Sequence, residues 1–268
     1  MKRKASDPRY SIDNDLYDAA GAGWWQPDSP LYLLHSSMNP ARIGYFKRKL
    51  VIERNVHPQG QTALEIGCGG GLLCEEIARM GFHVTGIDPS EKSLQIAAEH
   101  ASANGLQIQY KSGSGEAIPC GDGSMDVIFC CDVLEHVRDV PQVILEISRV
   151  LKPGGYFCFD TLNRTFLSWL MAIQIAQVWK RWAIAPANLH VWKMFIQPGE
   201  LRALLESDHL EWKEHKGMWL NAPPLKVLSC IRSKVKGELS YGELGKELRM
   251  VESGRTGLMY MGYAIKAL

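Results

Sequence analysis

Between residues 62 and 161 the chain alternates short apolar runs with stretches of helical spacing. Thr62–Ile66, His83–Ile87, Ile108–Lys111, Met125–Cys130 and Tyr156–Thr161 are short and rich in apolar, β-branched and aromatic residues, and read as strands. Leu72–Met80, Ser90–Asn104 and Val140–Val150 place apolar residues at helical spacing, with Ser90 positioned to cap the second helix and Gly105 to stop it. Strand and helix in strict alternation predict a mostly parallel sheet with helices on both faces. Ahead of this region, residues 1–15 are polar and predicted to be loose. A mixture of aromatics, prolines and a basic helix-like stretch (Ile43–Arg54) then predicts an N-terminal helical lid, residues 1–54, on a main domain of residues 55–268. The rhythm breaks near residues 162–197, read as a helical insert. It resumes with a helix opening at Pro198 and Glu200 and ends in a strand, Leu258–Lys266.

Composition narrows the class. With 46% hydrophobic residues in 268, a large core can be buried. The 30 basic and 29 acidic residues nearly cancel, which argues against nucleic acid as the main partner. Seven cysteines, an odd number with no C-x-x-C pair, argue against a disulfide framework or a thiolate zinc site and suit a reducing, cytoplasmic setting. The N-terminus lacks an apolar secretory core, and no run reaches the ~20 apolar residues of a spanning helix.

The first predicted strand leads into Glu65-Ile66-Gly67-Cys68-Gly69-Gly70-Gly71, and a helix follows at once. Glycines such as Gly67 and Gly69 permit positive φ and close approach of a ligand to the backbone. The spacing is G-x-G-x-G, not the G-x-G-x-x-G of a dinucleotide site, which makes a nicotinamide dehydrogenase the weakest contender. Glu65 beside the loop favours a cationic ligand, and S-adenosylmethionine is positive at sulfur and amine. Asp88, 21 residues after Gly67 at the end of the second strand, is placed to accept ribose hydroxyls.

After the fourth strand comes Cys131-Asp132-Val133-Leu134-Glu135-His136-Val137. If helical, it sets Asp132, Glu135 and His136 on one face, at i, i+3 and i+4. Two carboxylates and an imidazole there can bind a divalent cation such as Mg²⁺. Alternatively His136 can act as a general base, or Glu135 can orient the loop while His136 packs. Either chemistry would serve methylation of a phenol, whose pKa of about 10 makes the protonated form a poor nucleophile.

Two further segments, Leu151-Lys152-Pro153-Gly154-Gly155 and Gly115-Glu116-Ala117-Ile118-Pro119, resemble class I methyltransferases. That resemblance implies a Rossmann-like fold with a seven-stranded sheet. Ser114 stands where many members place an acid for the adenine amine. Beyond the core, the chain resembles the 3-demethylubiquinone 3-O-methyltransferase family. The matching residues are Tyr17-Asp18, Ala22, Trp24-Trp25-Gln26-Pro27, Leu34-His35, Met38-Asn39-Pro40-Ala41-Arg42, the glycine loop with Leu72-Leu73, Asp132–Val137 and Thr161-Leu162-Asn163-Arg164-Thr165. The resemblance implies cofactor contacts at Arg42, Gly67, Asp88 and Cys131, and a divalent metal on Asp132, Glu135 and His136. Arg42's planar fork could clamp the cofactor's carboxylate. Where the family reads G-T-H-D-W, this chain has Asn188-Leu189-His190-Val191-Trp192, keeping His190 and Trp192 but losing the acid.

Phe166–Trp182 combines large apolar side chains with polar ones at helical spacing and ends near Lys180-Arg181. Such a helix can lie in a bilayer interface, or face a core or a partner subunit. The reading is therefore an S-adenosylmethionine-dependent O-methyltransferase acting on a phenol or catechol hydroxyl of a quinone precursor. Its substrate is expected to be phenolic or polyprenylated. Peripheral contact with the inner membrane face and a place in a biosynthetic complex are expected. The competing readings are another lipid or small natural product as acceptor, and a non-catalytic cofactor-binding partner.

Overall fold

The computed structural model describes residues 21–186 and 189–268. The expectations for residues 1–15, Tyr17-Asp18 and Asn188 therefore lie outside the described residues. The elements are α1 (Asn39–Lys47), β1 (Thr62–Ile66), α2 (Leu72–Arg79), β2 (His83–Asp88), α3 (Glu91–Ala103), β3 (Ile108–Ser112), β4 (Met125–Cys131) and α4 (Val140–Val150). They continue through β5 (Leu151–Leu162), α5 (Phe166–Ser168), α6 (Pro198–Ser207), β6 (Leu210–Leu220), α7 (Pro224–Val235), α8 (Tyr241–Glu247), β7 (Met250–Ser253) and β8 (Met259–Lys266). Trp169–Val178 prolongs α5 in wider π-type turns, so the insert helix stops short of the expected Trp182.

One sheet runs in the order β3-β2-β1-β4-β5-β8-β6-β7. The first five pair in parallel, and β8, β6 and β7 are antiparallel. The sheet thus has eight strands rather than seven. The additional strand is β7, a four-residue edge element of sequence Met-Val-Glu-Ser, too short to carry a readable alternation.

Side-chain alternation along the parallel strands builds a core on each face. Ala63, Val127 and Phe129 point to one side, with Tyr45, Phe46 and Leu50 from the N-terminal helical run and Ile77 from α2. Leu64, Ile66 and Ile128 point to the other, with Val143, Ile144 and Ile147 of α4 and Leu201 and Leu205 of α6. Helix α4 shows why these residues form a helix where they do. The Asp139 side chain caps it by accepting from Gln142 N at 3.3 Å, and its apolar positions fall at i, i+3, i+4 and i+7. Each such fully buried branched side chain contributes roughly 1.5–3 kcal/mol of transfer free energy. The result is a rigid shelf whose strand ends carry the site. Among the described residues, no helix is long and apolar enough to cross a membrane.

Candidate active site

The carboxyl ends of β1, β2, β4 and β5 open onto one cavity of about 1710 Å³. At its β1 end, Gly67 N and Cys68 N donate to Ile87 O at 2.8 and 3.0 Å, pinning the glycine loop to β2. Gly67 has φ 68° and a Cβ there would strike Val133; Gly69 has φ 49° and a Cβ would strike the Trp24 ring. Both positions therefore require glycine. Asp88 Oδ2 accepts from Gly69 N and Oδ1 from Ser90 N, both at 2.9 Å, so this carboxylate fixes the loop and the entry to α3 together. The N-terminal segment lies over the loop. Trp24 Nε1 donates to Ser93 Oγ at 3.0 Å, and Trp25 Nε1 donates to Gly70 O at 2.8 Å. Trp25 also stacks on His100 with ring centroids 3.5 Å apart.

Glu65 lines this end of the cavity and is buried, with Oε2 lacking a protein partner. Burial pushes its carboxyl up to about 8 from an ordinary 4.5. A cation placed against that oxygen would reverse the shift, which fits the amine of S-adenosylmethionine. The sign follows from linkage. Between pH 4.5 and 8 the folded chain holds a proton that the unfolded chain releases, so Glu65 costs stability as pH rises through that window. Binding a cation beside it must then expel the proton. Calorimetry of S-adenosylhomocysteine binding at pH 7 in two buffers of different ionisation enthalpy is expected to show proton release that Glu65→Gln abolishes. Equal heats in both buffers for the unaltered protein would refute the contact.

The segment after β4 is not a helix. Asp132 has φ 54°, a left-handed conformation that aspartate tolerates but that cannot begin an α-helix. The chain passes through a tight turn, with His136 N donating to Val133 O at 2.8 Å. The three expected side chains therefore part company. Asp132 pairs with Arg42 Nη2. Glu135 is buried, and its Oε2 accepts from the Thr161 hydroxyl at 2.8 Å. Burial, with the Asp132 charge adding to it, raises the Glu135 carboxyl to about 8. His136 lines the cavity with its ring centroid 5.1 Å from that of His190. Among the described residues, no three His, Cys, Asp or Glu side chains stand together as a metal-holding group. With Asp132 held by a guanidinium and Glu135 turned inward to Thr161, these side chains do not fit Mg²⁺ as placed.

Arg42 is buried and held by acids rather than left open as a fork. Its Nε and Nη2 donate to Asp160 at 2.6 and 2.9 Å, Nη1 donates to Asn39 Oδ1 at 3.2 Å, and Nη2 also reaches Asp132. Four of the five guanidinium N–H groups are so committed. Asp160 also accepts from Asp132 N at 3.2 Å, which secures the unusual Asp132 backbone. Burial raises the Asp160 carboxyl to about 6, with Arg42 opposing the shift. Cys131, paired in register with Asp160, ends β4 at the cavity wall. Asp160 belongs to no motif read from the sequence, whereas His190 is the histidine kept from the G-T-H-D-W pattern. A charged residue inside the apolar run Phe157-Cys158-Phe159-Asp160 is the signal that points to the first. His190 also lines the cavity; it is desolvated and lowered to about 4, so it is neutral at physiological pH.

Residues 64–159 match the family model described as a methyltransferase domain. A ubiquinone biosynthesis O-methyltransferase of Caulobacter vibrioides is 38% identical over 211 residues, 75% of this chain and 82% of that one. One of Azorhizobium caulinodans is 36% identical over 208 residues, 75% of this chain and 81% of its own. Among solved structures, a SAM-dependent methyltransferase from Aquifex aeolicus superimposes with TM-score 0.56 at 15% identity, covering 95% of this chain and 99% of that one. An S-adenosylmethionine-dependent methyltransferase from Mesorhizobium loti gives TM-score 0.53 at 18% identity, covering 85% and 100%. At such identities the structures speak to fold alone. The chain belongs to the ubiquinone biosynthesis O-methyltransferase family and is an S-adenosylmethionine-dependent O-methyltransferase of Rossmann-like fold.

Proposed function

We propose that this enzyme methylates a phenol or catechol hydroxyl of a ubiquinone-type precursor, with His136 as the general base. One observation carries the reading. A single cavity holds Glu65, the glycine loop and Asp88 at one end, and His136 with His190 beyond the β4 end. Bound S-adenosylmethionine supplies an activated methyl group on a sulfonium. Gly67, Asp88 and Cys131 line its seat, and Glu65 faces its amine, whereas Gly69, expected to join them, packs under Trp24 instead. His136 takes the hydroxyl proton as the oxygen begins its attack on the methyl carbon, which offsets the weak nucleophilicity of a neutral phenol. The donor, when bound, would surrender its methyl group to that oxygen and keep the bonding pair on its sulfur, and the cavity wall would supply the rest of the rate by holding the two reactants together. The neutral His190 beside His136 keeps the pocket from carrying a second cation against the developing imidazolium.

The exposed apolar side chains of the insert support a peripheral seat on the inner membrane face. Phe166 is 73% exposed and Val178 54%, and the exposed Lys180 and Arg181 follow. Of the expected N-terminal lid, residues 1–54, the described part from residue 21 onward lies against the glycine loop through Trp24 and Trp25 and serves as the cover over the bound donor, while residues 1–20 lie outside the described residues. The test is methyl transfer from S-adenosylmethionine to a panel of catechols, with and without EDTA. Transfer that persists in EDTA is expected. Tight binding of S-adenosylhomocysteine with no transfer to any catechol would instead favour a non-catalytic partner in a biosynthetic complex.

A further inference from the structure

The helix of residues 166–178 reverses the usual polarity of a surface helix. Its Phe166 and Val178 are exposed, whereas the polar Gln177 is only 7% exposed. A buried amide costs free energy unless it is hydrogen-bonded, so the partners of this one explain its place. Gln177 Oε1 accepts from His190 N at 2.8 Å. Its Nε2 donates to Ala172 O at 3.0 Å and reaches His190 O at 3.5 Å. Ala172 lies five residues back, one turn of the π-type winding of Trp169–Val178, a geometry frequent at functional sites. One side chain thus joins the backbone of the insert helix to the backbone of a segment 13 residues further on. At the start of the helix a second bond does the same: Trp192 Nε1 donates to Thr165 O at 2.8 Å. His190-Val191-Trp192 is in this way clasped from both ends of the helix.

The clasped segment brings His190 to the cavity wall. Its ring centroid is 5.1 Å from that of His136 and 6.0 Å from that of the fully buried Phe195. The same helix lines the cavity with Met171, Ala172, Ile175 and Ala176, whose apolar side chains hold nothing by hydrogen bond. It falls to the Gln177 amide to tie this wall to His190.

We infer that Gln177 is a positioning residue for methyl transfer: through the His190 backbone it fixes the His190 ring against His136 and so sets the acceptor side of the cavity. This rests on the reading of His136 as the base only for which step is slowed. A base works within hydrogen-bond reach of its proton, and about 1 Å of misplacement can cost about 10²-fold in rate.

Gln177→Met and Gln177→Leu each remove both bonds to His190 at nearly constant volume. Hydrogen exchange at the His190 amide, followed by NMR, reads the clasp without any acceptor. Exchange about tenfold faster or more is expected in both variants, and unchanged exchange would overturn the inference. Binding of S-adenosylhomocysteine, expected at unaltered affinity, counts the folded sites. Per folded site, kcat for a catechol at saturating S-adenosylmethionine is expected to fall about tenfold in each variant, less than a full 1 Å of displacement would cost. On a His190→Ala background the same substitutions should cost no more than about twofold, because residues that act as a unit give losses that do not add. A loss of equal size on both backgrounds would overturn the inference, as would an unchanged kcat in both variants. His136→Ala without loss of kcat would sink the reading of the base, yet non-additivity between Gln177 and His190 would stand. Failure of transfer to every catechol would sink the acceptor reading and leave the exchange result standing.

Discussion

His136→Ala is expected to lower kcat by about 10²–10⁴ while leaving the affinity for S-adenosylhomocysteine unchanged, the range over which a positioned base contributes. The expectation follows from its place on the cavity wall, beside His190 and beyond the donor's seat. The accompanying control is Glu135→Gln. If Glu135 held a metal, its amide variant would lose activity heavily. With the carboxyl buried on Thr161 and raised to about 8, it already carries its proton near neutrality, and the amide reproduces that state. A change in kcat of no more than about two- to threefold is therefore expected, as for a polar group replaced by its neutral isostere. Single-turnover kinetics on both variants, with EDTA present, separates the two outcomes. A large loss in Glu135→Gln with a small loss in His136→Ala would reverse the assignment.

Arg42→Met should destabilise the fold by about 3–5 kcal/mol, the usual result of removing one partner from a buried ion pair. Asp160 is fully buried and Asp132 only 20% exposed, so both carboxylates would lose the guanidinium that compensates them. Asp160, already raised to about 6, would take up a proton and soften the loss. The double variant Arg42→Met with Asp160→Asn is then expected to recover much of the stability, because a neutral amide needs no counter-charge. Urea unfolding of the set reads this directly. Equal midpoints for the single variant and the unaltered protein would show that the pair contributes nothing. The same variant should loosen the left-handed turn at Asp132, since Asp160 accepts the Asp132 N–H, and so displace His136. A fall in kcat below that expected from the folded fraction would report it.

How much of this was legible beforehand depends on the range of the interaction involved. The alternation of strand and helix from residue 62 to residue 161, the Ser90 cap of α3, and the glycine loop with its acid at Asp88 are all written locally. They rest on periodicity, on one capping side chain and on backbone freedom at Gly67 and Gly69. A residue's neighbours in sequence suffice to specify them. The arrangement of the acids is different. Arg42 meets Asp132 across 90 residues and Asp160 across 118, and no local pattern announces either partner. The run from Asp132 to His136 satisfies the spacing of a helix face, yet the Asp160 carboxylate and the Arg42 guanidinium hold Asp132 at φ 54° and turn the chain the other way. The β7 edge and the α7–α8 pair likewise follow from what the finished sheet and cavity leave uncovered. Sequence alone determined the shelf and the glycine loop, because those depend on contacts between residues close along the chain. Only the tertiary structure decided which charges neutralise each other and where the cavity ends, because burial and long-range pairing exist only once the sheet has assembled.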